Sequence, residues 1–145
     1  NTRDQHGEAP GTRGESWSTD GGEGFDSRDS DWKAFRPIEG VLDLPVVQGA
    51  LLRVSESLIL LSGPDENGPS GEGRSDMRIR YSTDETKTWQ DGPIIHTGPA
   101  AYSDMVLLSK GSVGLLFEAG SPSQKSAYQR IVFSAIGSIA VEVIH

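Results

Sequence analysis

An all-β fold is predicted for this chain of 145 residues, on three observations. Helical periodicity is hard to find. Short apolar or alternating runs bounded by Gly, Pro, Asp and Ser recur about every ten residues. Two octapeptides of the same turn-forming pattern stand far apart in the chain. Arg13 to Ser18 reads as an early strand leading into the first of those turns. Gly49 to Val54 and Leu58 to Ser62 are apolar runs separated by Ser55-Glu56-Ser57, which reads as a hairpin turn. Met77, Ile79 and Tyr81 alternate with polar residues, so Met77 to Ser82 is a strand with one apolar face. Pro93 to His96 is a short strand, and Asp104 to Leu108 and Val113 to Glu118 flank a turn at Ser109-Lys110-Gly111-Ser112. Gln129 to Ala135 and Ile139 to Ile144 complete the set. Gln5 to Thr12 and Pro64 to Gly73 are polar and Gly-rich, too hydrophilic to pack, and are expected as exposed loops, the second delivering the chain to Arg74.

Composition bounds the function classes. The length suits one ordinary domain, residues 1–145. Thirteen Lys plus Arg against 21 Asp plus Glu leave a formal charge of −8, and no basic run is present, so nucleic acid is not an expected partner. Apolar runs such as Leu58-Ile59-Leu60-Leu61 are far too short to span a bilayer. Zero Cys excludes disulfides and thiolate metal sites without choosing a compartment. His6, His96 and His145 have no ligand partner at metal spacing, and the acidic stretch around Asp26 to Asp31 reads as a solvated loop. No metal and no cofactor is expected.

The paired octapeptides are Ser18-Thr19-Asp20-Gly21-Gly22-Glu23-Gly24-Phe25 and Ser82-Thr83-Asp84-Glu85-Thr86-Lys87-Thr88-Trp89. Both resemble the aspartate box, Ser-x-Asp-x-Gly-x-Thr-Trp, in which Asp accepts backbone N–H bonds, Gly permits positive φ and the aromatic packs between neighbouring strands. Each departs from the pattern once: Gly24 stands where Thr is usual, and Thr86 where Gly is usual. Around them, Asn1-Thr2-Arg3, Arg74-Ser75-Asp76-Met77, Ala101-Tyr102-Ser103-Asp104-Met105 and Gly114-Leu115-Leu116-Phe117-Glu118 occur in the order of matching segments in bacterial-type sialidases. The chain thus resembles the C-terminal part of an exo-α-sialidase over nearly its whole length, with Phe117 in place of the more usual Tyr.

That resemblance implies a partial six-bladed β-propeller, about three blades of four-stranded antiparallel sheet at ~40–50 residues a blade. It also implies that Arg3 and Arg74 are two of three arginines binding the substrate carboxylate, that Tyr102 is the nucleophile and that Glu118 orients the first arginine. Sialic acid carries a carboxylate on its anomeric carbon, which an Arg fork holds in bidentate fashion. A carboxylate nucleophile would meet ~4 kcal/mol of repulsion there, for charges about 4 Å apart at an effective dielectric near 20. A neutral phenol avoids that cost, hence Tyr in place of the usual second carboxylate, with a covalent glycosyl-enzyme and retention. The general base, the acid/base aspartate and the first arginine match nothing in the chain, which begins at Asn1 without Met or signal segment. The expectation is therefore a piece of a longer protein that needs an N-terminal propeller half, acts on sialylated glycoproteins, glycolipids or oligosaccharides, and is inactive alone, with Glu118 lacking its arginine. Localisation is open from composition; secretion or the periplasm would follow if it is like bacterial family members.

A second reading, a non-catalytic aspartate-box segment that binds glycan or protein, stands beside the first. Taken singly, Arg74 is a solvated charge, Tyr102 a half-buried strand aromatic and Glu118 a strand-end acid.

Overall fold

The computed structural model describes residues 2–4, 12–16, 18–25, 36–37, 47–65, 74–123 and 126–137. The chain is all-β among these, with a single 3-10 turn, Ser109–Gly111, as its helical content. Strands β1 (Thr2–Asp4), β2 (Thr12–Glu15) and β3 (Arg36–Pro37) form an antiparallel three-stranded sheet in that order, with Arg3 opposite Arg13. Strands β4 (Ala50–Ser55), β5 (Leu58–Asp65), β6 (Ser75–Ser82), β7 (Gln90–Leu107), β8 (Val113–Ala119) and β9 (Arg130–Ile136) form a six-stranded antiparallel sheet whose spatial order is the chain order.

Each run read as a strand between Gly49 and Ala135 lies in this sheet, with two corrections. Pro93 to His96 and Asp104 to Leu108 are parts of one strand of 18 residues, β7. The Gly98-Pro99 pair, which has turn character in sequence, bends the strand through a positive φ of 102° at Gly98 without ending it. Pro64 is also no exposed loop residue: it ends the run Leu58 to Pro64, buried throughout, in a strand paired with β4 and β6 on its two edges. Residues 66–73, the acidic stretch, most of Gln5 to Thr12 and Ile139 to Ile144 lie outside the described residues. The two-residue strand β3 had no sequence signal.

One face of the sheet carries a continuous core. Leu52, Leu60 and Tyr81 pair across β4, β5 and β6; Met105 and Leu115 pair across β7 and β8; Phe117 and Val132 pair across β8 and β9. The alternation of Met77, Ile79 and Tyr81 puts all three on this face, the first two essentially inaccessible to solvent. On the other side of the sheet four charges interlock: Arg78 Nε reaches Asp65 Oδ2 at 2.7 Å, Arg80 bonds Asp65 Oδ1, and Arg80 Nε meets Asp91 Oδ1 at 3.0 Å. These pairs tie three adjacent strands, and a one-residue slip would send every partner to the wrong face.

The two octapeptide turns are built alike. Ser82 Oγ donates to Asp84 Oδ1 (2.8 Å) and accepts Thr86 N–H (2.9 Å), while Asp84 Oδ1 accepts Thr88 N–H (2.9 Å). In the earlier turn Ser18, Asp20, Gly22 and Gly24 make the same set at 2.6, 2.8 and 2.9 Å. The Asp accepts amide protons as expected from the motif. Positive φ falls on Gly21 and Gly22 in one turn and on Glu85 (59°) and Thr86 (64°) in the other, so Thr86 adopts the conformation that glycine would take. Thr88 supplies a further bond to Asp84 Oδ2 at 2.6 Å, and the Thr88 hydroxyl and amide, with the Ser82 hydroxyl, hold the Asp84 carboxyl at a pKa of about 2. Phe25, 57% exposed, does not pack as the motif's aromatic would.

Candidate functional site

Three irregularities in the six-stranded sheet bring Arg74, Tyr102 and Glu118 to one region. The first lies at the start of β6, where Asp76 is an extra residue with φ of 57° between the pairs Pro64–Met77 and Asp65–Ser75. Its carboxylate accepts the Gly98 amide at 2.7 Å, linking this kink to the second, at Gly98 in β7. A Cβ at Gly98 would also press on the Pro122 ring at 3.2 Å, so the bend admits little else. Arg74, just before β6, is then fixed by its carbonyl, which accepts the Ala100 amide at 2.9 Å.

The third irregularity is a bulge in β7. Ala100 pairs with Ala119 and Ser103 with Phe117, leaving Ala101 and Tyr102 opposite Glu118 alone. Glu118 Oε2 accepts the Tyr102 amide at 3.3 Å where the ladder is interrupted. Ala101 is fully buried, and Tyr102 turns outward, 40% exposed. Beneath it Ser103 Oγ and Ser62 Oγ are bonded at 2.8 Å, and the Ser103 amide donates to Gln48 Oε1 at 3.2 Å, fixing the residue after the tyrosine.

The Arg74 guanidinium stands 6.0 Å from the centre of the Tyr102 ring, within cation–π range, and Nη1 donates to the Tyr128 hydroxyl, which places the guanidinium at the hydroxyl end of that second ring, 5.9 Å from its centre. Tyr128 reaches this position through its neighbour: Ala127 is buried in a small cluster with Ala101 and Val47. Two buried alanines of one cluster are each followed by a tyrosine, and the two tyrosines meet the same arginine. Sequence reasoning missed Tyr128, because it lies between β8 and β9 in no recognisable motif and reaches this place through the burial of Ala127 in the cluster with Ala101 and Val47.

Electrostatically, Arg74 differs from its neighbours. Arg53 pairs with Glu85 at 2.7 Å, and Arg78 and Arg80 hold Asp65 and Asp91, whereas Arg74 has no carboxylate partner among the described residues. A partly exposed guanidinium with rings beside it and no carboxylate partner among the described residues can receive an anion, and its planar fork suits a carboxylate. Arg3 belongs to the three-stranded sheet, and its side chain lies outside those described; nothing described joins it to Arg74. Among the described residues there is no group of three or more His, Asp or Glu placed to hold a metal ion, and no helix long and apolar enough to cross a membrane.

No family model matches the chain. A curated sialidase of Micromonospora viridifaciens is 36% identical over 55 residues, a stretch amounting to 38% of this chain and 8% of that protein. The similarity is sialidase-like, and this chain covers a small fraction of that relative's length.

Proposed function

We propose that this chain is the C-terminal part of an exo-α-sialidase propeller, presenting the nucleophile and part of the carboxylate clamp. The observation that carries the reading is Arg74 without a carboxylate partner among the described residues, its guanidinium 6.0 Å from the ring of a tyrosine whose amide rests on Glu118. Two further features support it. The twin turns have the hydrogen bonds that an aspartate box needs. The β7 ladder also divides at Pro99 and Ala100, its first part pairing with β6 and its second with β8. This division groups β4 to β7 as one four-stranded unit and starts another, as successive blades would.

In this reading Arg74, with Arg3, receives the substrate carboxylate and sets the anomeric carbon against the Tyr102 hydroxyl. The phenol gives its proton to the base as its oxygen bonds that carbon, and the aglycone leaves with a proton from the acid; water then releases sialic acid with net retention and returns the proton to the phenol oxygen. Glu118 steadies the bulge that carries Tyr102 while facing the first arginine, which, like the base and the acid, comes from another part of the protein. The substrates are terminal α-linked sialosides on glycoproteins, glycolipids or oligosaccharides.

The test uses the whole protein that contains this chain and a fluorogenic α-sialoside. Tyr102→Phe is expected to remove most turnover, a hundredfold or more on the scale of lost covalent catalysts, with the circular dichroism spectrum unchanged. Undiminished turnover would refute the nucleophilic role. Binding of sialosides with no turnover in the parent would instead favour a glycan-binding segment.

A further inference from the structure

We infer that Tyr128 is a positioning residue, holding the Arg74 guanidinium in the orientation in which it receives a carboxylate. A solvent-facing arginine ordinarily samples many rotamers, and ordering it on binding weakens the complex. Here the order is present beforehand. Nη1 is tied to the Tyr128 hydroxyl, and the guanidinium carbon lies near both rings, at 5.9 and 6.0 Å. An arginine has five N–H donors; one bond to Tyr128 leaves a pair on another edge of the plane for a bidentate carboxylate.

Tyr128 can do this because it is itself held. Ala127 is 5% exposed, buried in one cluster with Ala101 and Val47. The Gln129 amide oxygen accepts the Ser121 amide at 2.9 Å, and the Tyr128 amide donates to Ser126 Oγ at 3.3 Å. The Ser126 carbonyl lies so close over Gly120 that a Cβ there would stand 1.8 Å from it, so the segment is seated against the end of β8. The position of the phenol is thereby tied to the same alanine, Ala101, that forms the bulge under Tyr102, and the two rings keep a common spacing to Arg74.

The assignment of a carboxylate ligand rests on the sialidase reading; the hold of Tyr128 on Arg74 does not, and the experiment has one arm for each. In the whole protein, 15N exchange of the Arg74 Nη groups reports rotation of the guanidinium without any ligand. Slow rotation is expected in the parent and faster rotation in Tyr128→Phe, which keeps the ring and loses the hydroxyl; equal rates would overturn the inference. Titration with N-acetylneuraminate is expected to show about fivefold weaker binding for Tyr128→Phe, the value of one hydrogen bond, and a larger loss for Tyr128→Leu. In an Arg74→Ala background the same Tyr128 substitutions are expected to change nothing. A loss that persists undiminished there would show that Tyr128 acts independently of Arg74, and would also overturn the inference. If the parent binds no N-acetylneuraminate, the sialidase reading fails, and the rotation rates still decide whether Tyr128 positions Arg74.

Discussion

Thr86 sits at a φ of 64° in a turn whose twin has Gly22 at the same place, and a β-branched side chain is poorly suited to that conformation. Thr86→Gly keeps the Thr86 amide bond to Ser82 Oγ and relieves the backbone, against a more flexible unfolded chain. The expected net is a gain of about 1 kcal/mol, measured by denaturant unfolding. Asp84 offers a test by pH. Its carboxyl, held at about 2 by the Thr88 hydroxyl and amide and the Ser82 hydroxyl, lies below the ordinary 3.8. A depressed acid contributes stability that is fully present above 3.8 and is lost as the pH falls through about 2. Asp84→Asn is therefore expected to destabilise by a constant amount near neutrality, and the gap to the parent should close across that acid window; a gap independent of pH would contradict this. At this scale Arg74, Tyr102 and Glu118 stand out in sequence because each lies in a segment with a recognisable pattern, and the fold brings the three to one region. Tyr128 does not, since its place depends on the burial of Ala127 in a cluster with Ala101 and Val47.

Among the elements, β7 is where sequence and structure part. Gly98-Pro99 has the composition of a turn, but Gly98 at φ 102° and the Asp76 carboxylate on its amide convert it to a bend within one strand. No single-sequence pattern separates those outcomes, because the deciding partner lies on another strand. Gly98→Ala combines a backbone strained for any L side chain with a Cβ 3.2 Å from Pro122 Cγ, and is expected to cost roughly 1–3 kcal/mol by thermal or denaturant unfolding. An unchanged midpoint would mean that the bend is not needed for stability. The hairpin at Ser55-Glu56-Ser57 and the alternation in β6 were readable because local chemistry decides them.

For the whole molecule, the all-β class follows from the spacing of apolar runs, whereas the division of strands between two sheets does not. The outer face of β7, β8 and β9 exposes Val106 (53%), Leu116 (46%), Ile131 (71%) and Phe133 (58%), with Leu116 directly opposite Phe133. Contiguous apolar surface of this kind promotes association. Prepared alone, the chain is expected to bind an apolar dye and to self-associate in sedimentation velocity, and Ile131→Lys with Phe133→Lys should reduce both. Unaltered sedimentation would place the cause elsewhere.

The twin turns also bear on how the sheet is reached in time. Their bonds join residues two to four positions apart, so each can close before any distant pairing exists. The Ser82 to Trp89 turn lies between β6 and β7, and its early closure would place those two strands side by side while the rest of the chain is still searching. Of the three irregularities around Arg74, the kinks at Asp76 and Gly98 lie on that same pair of strands. The site would then begin to take shape from the first hairpin rather than from the finished sheet.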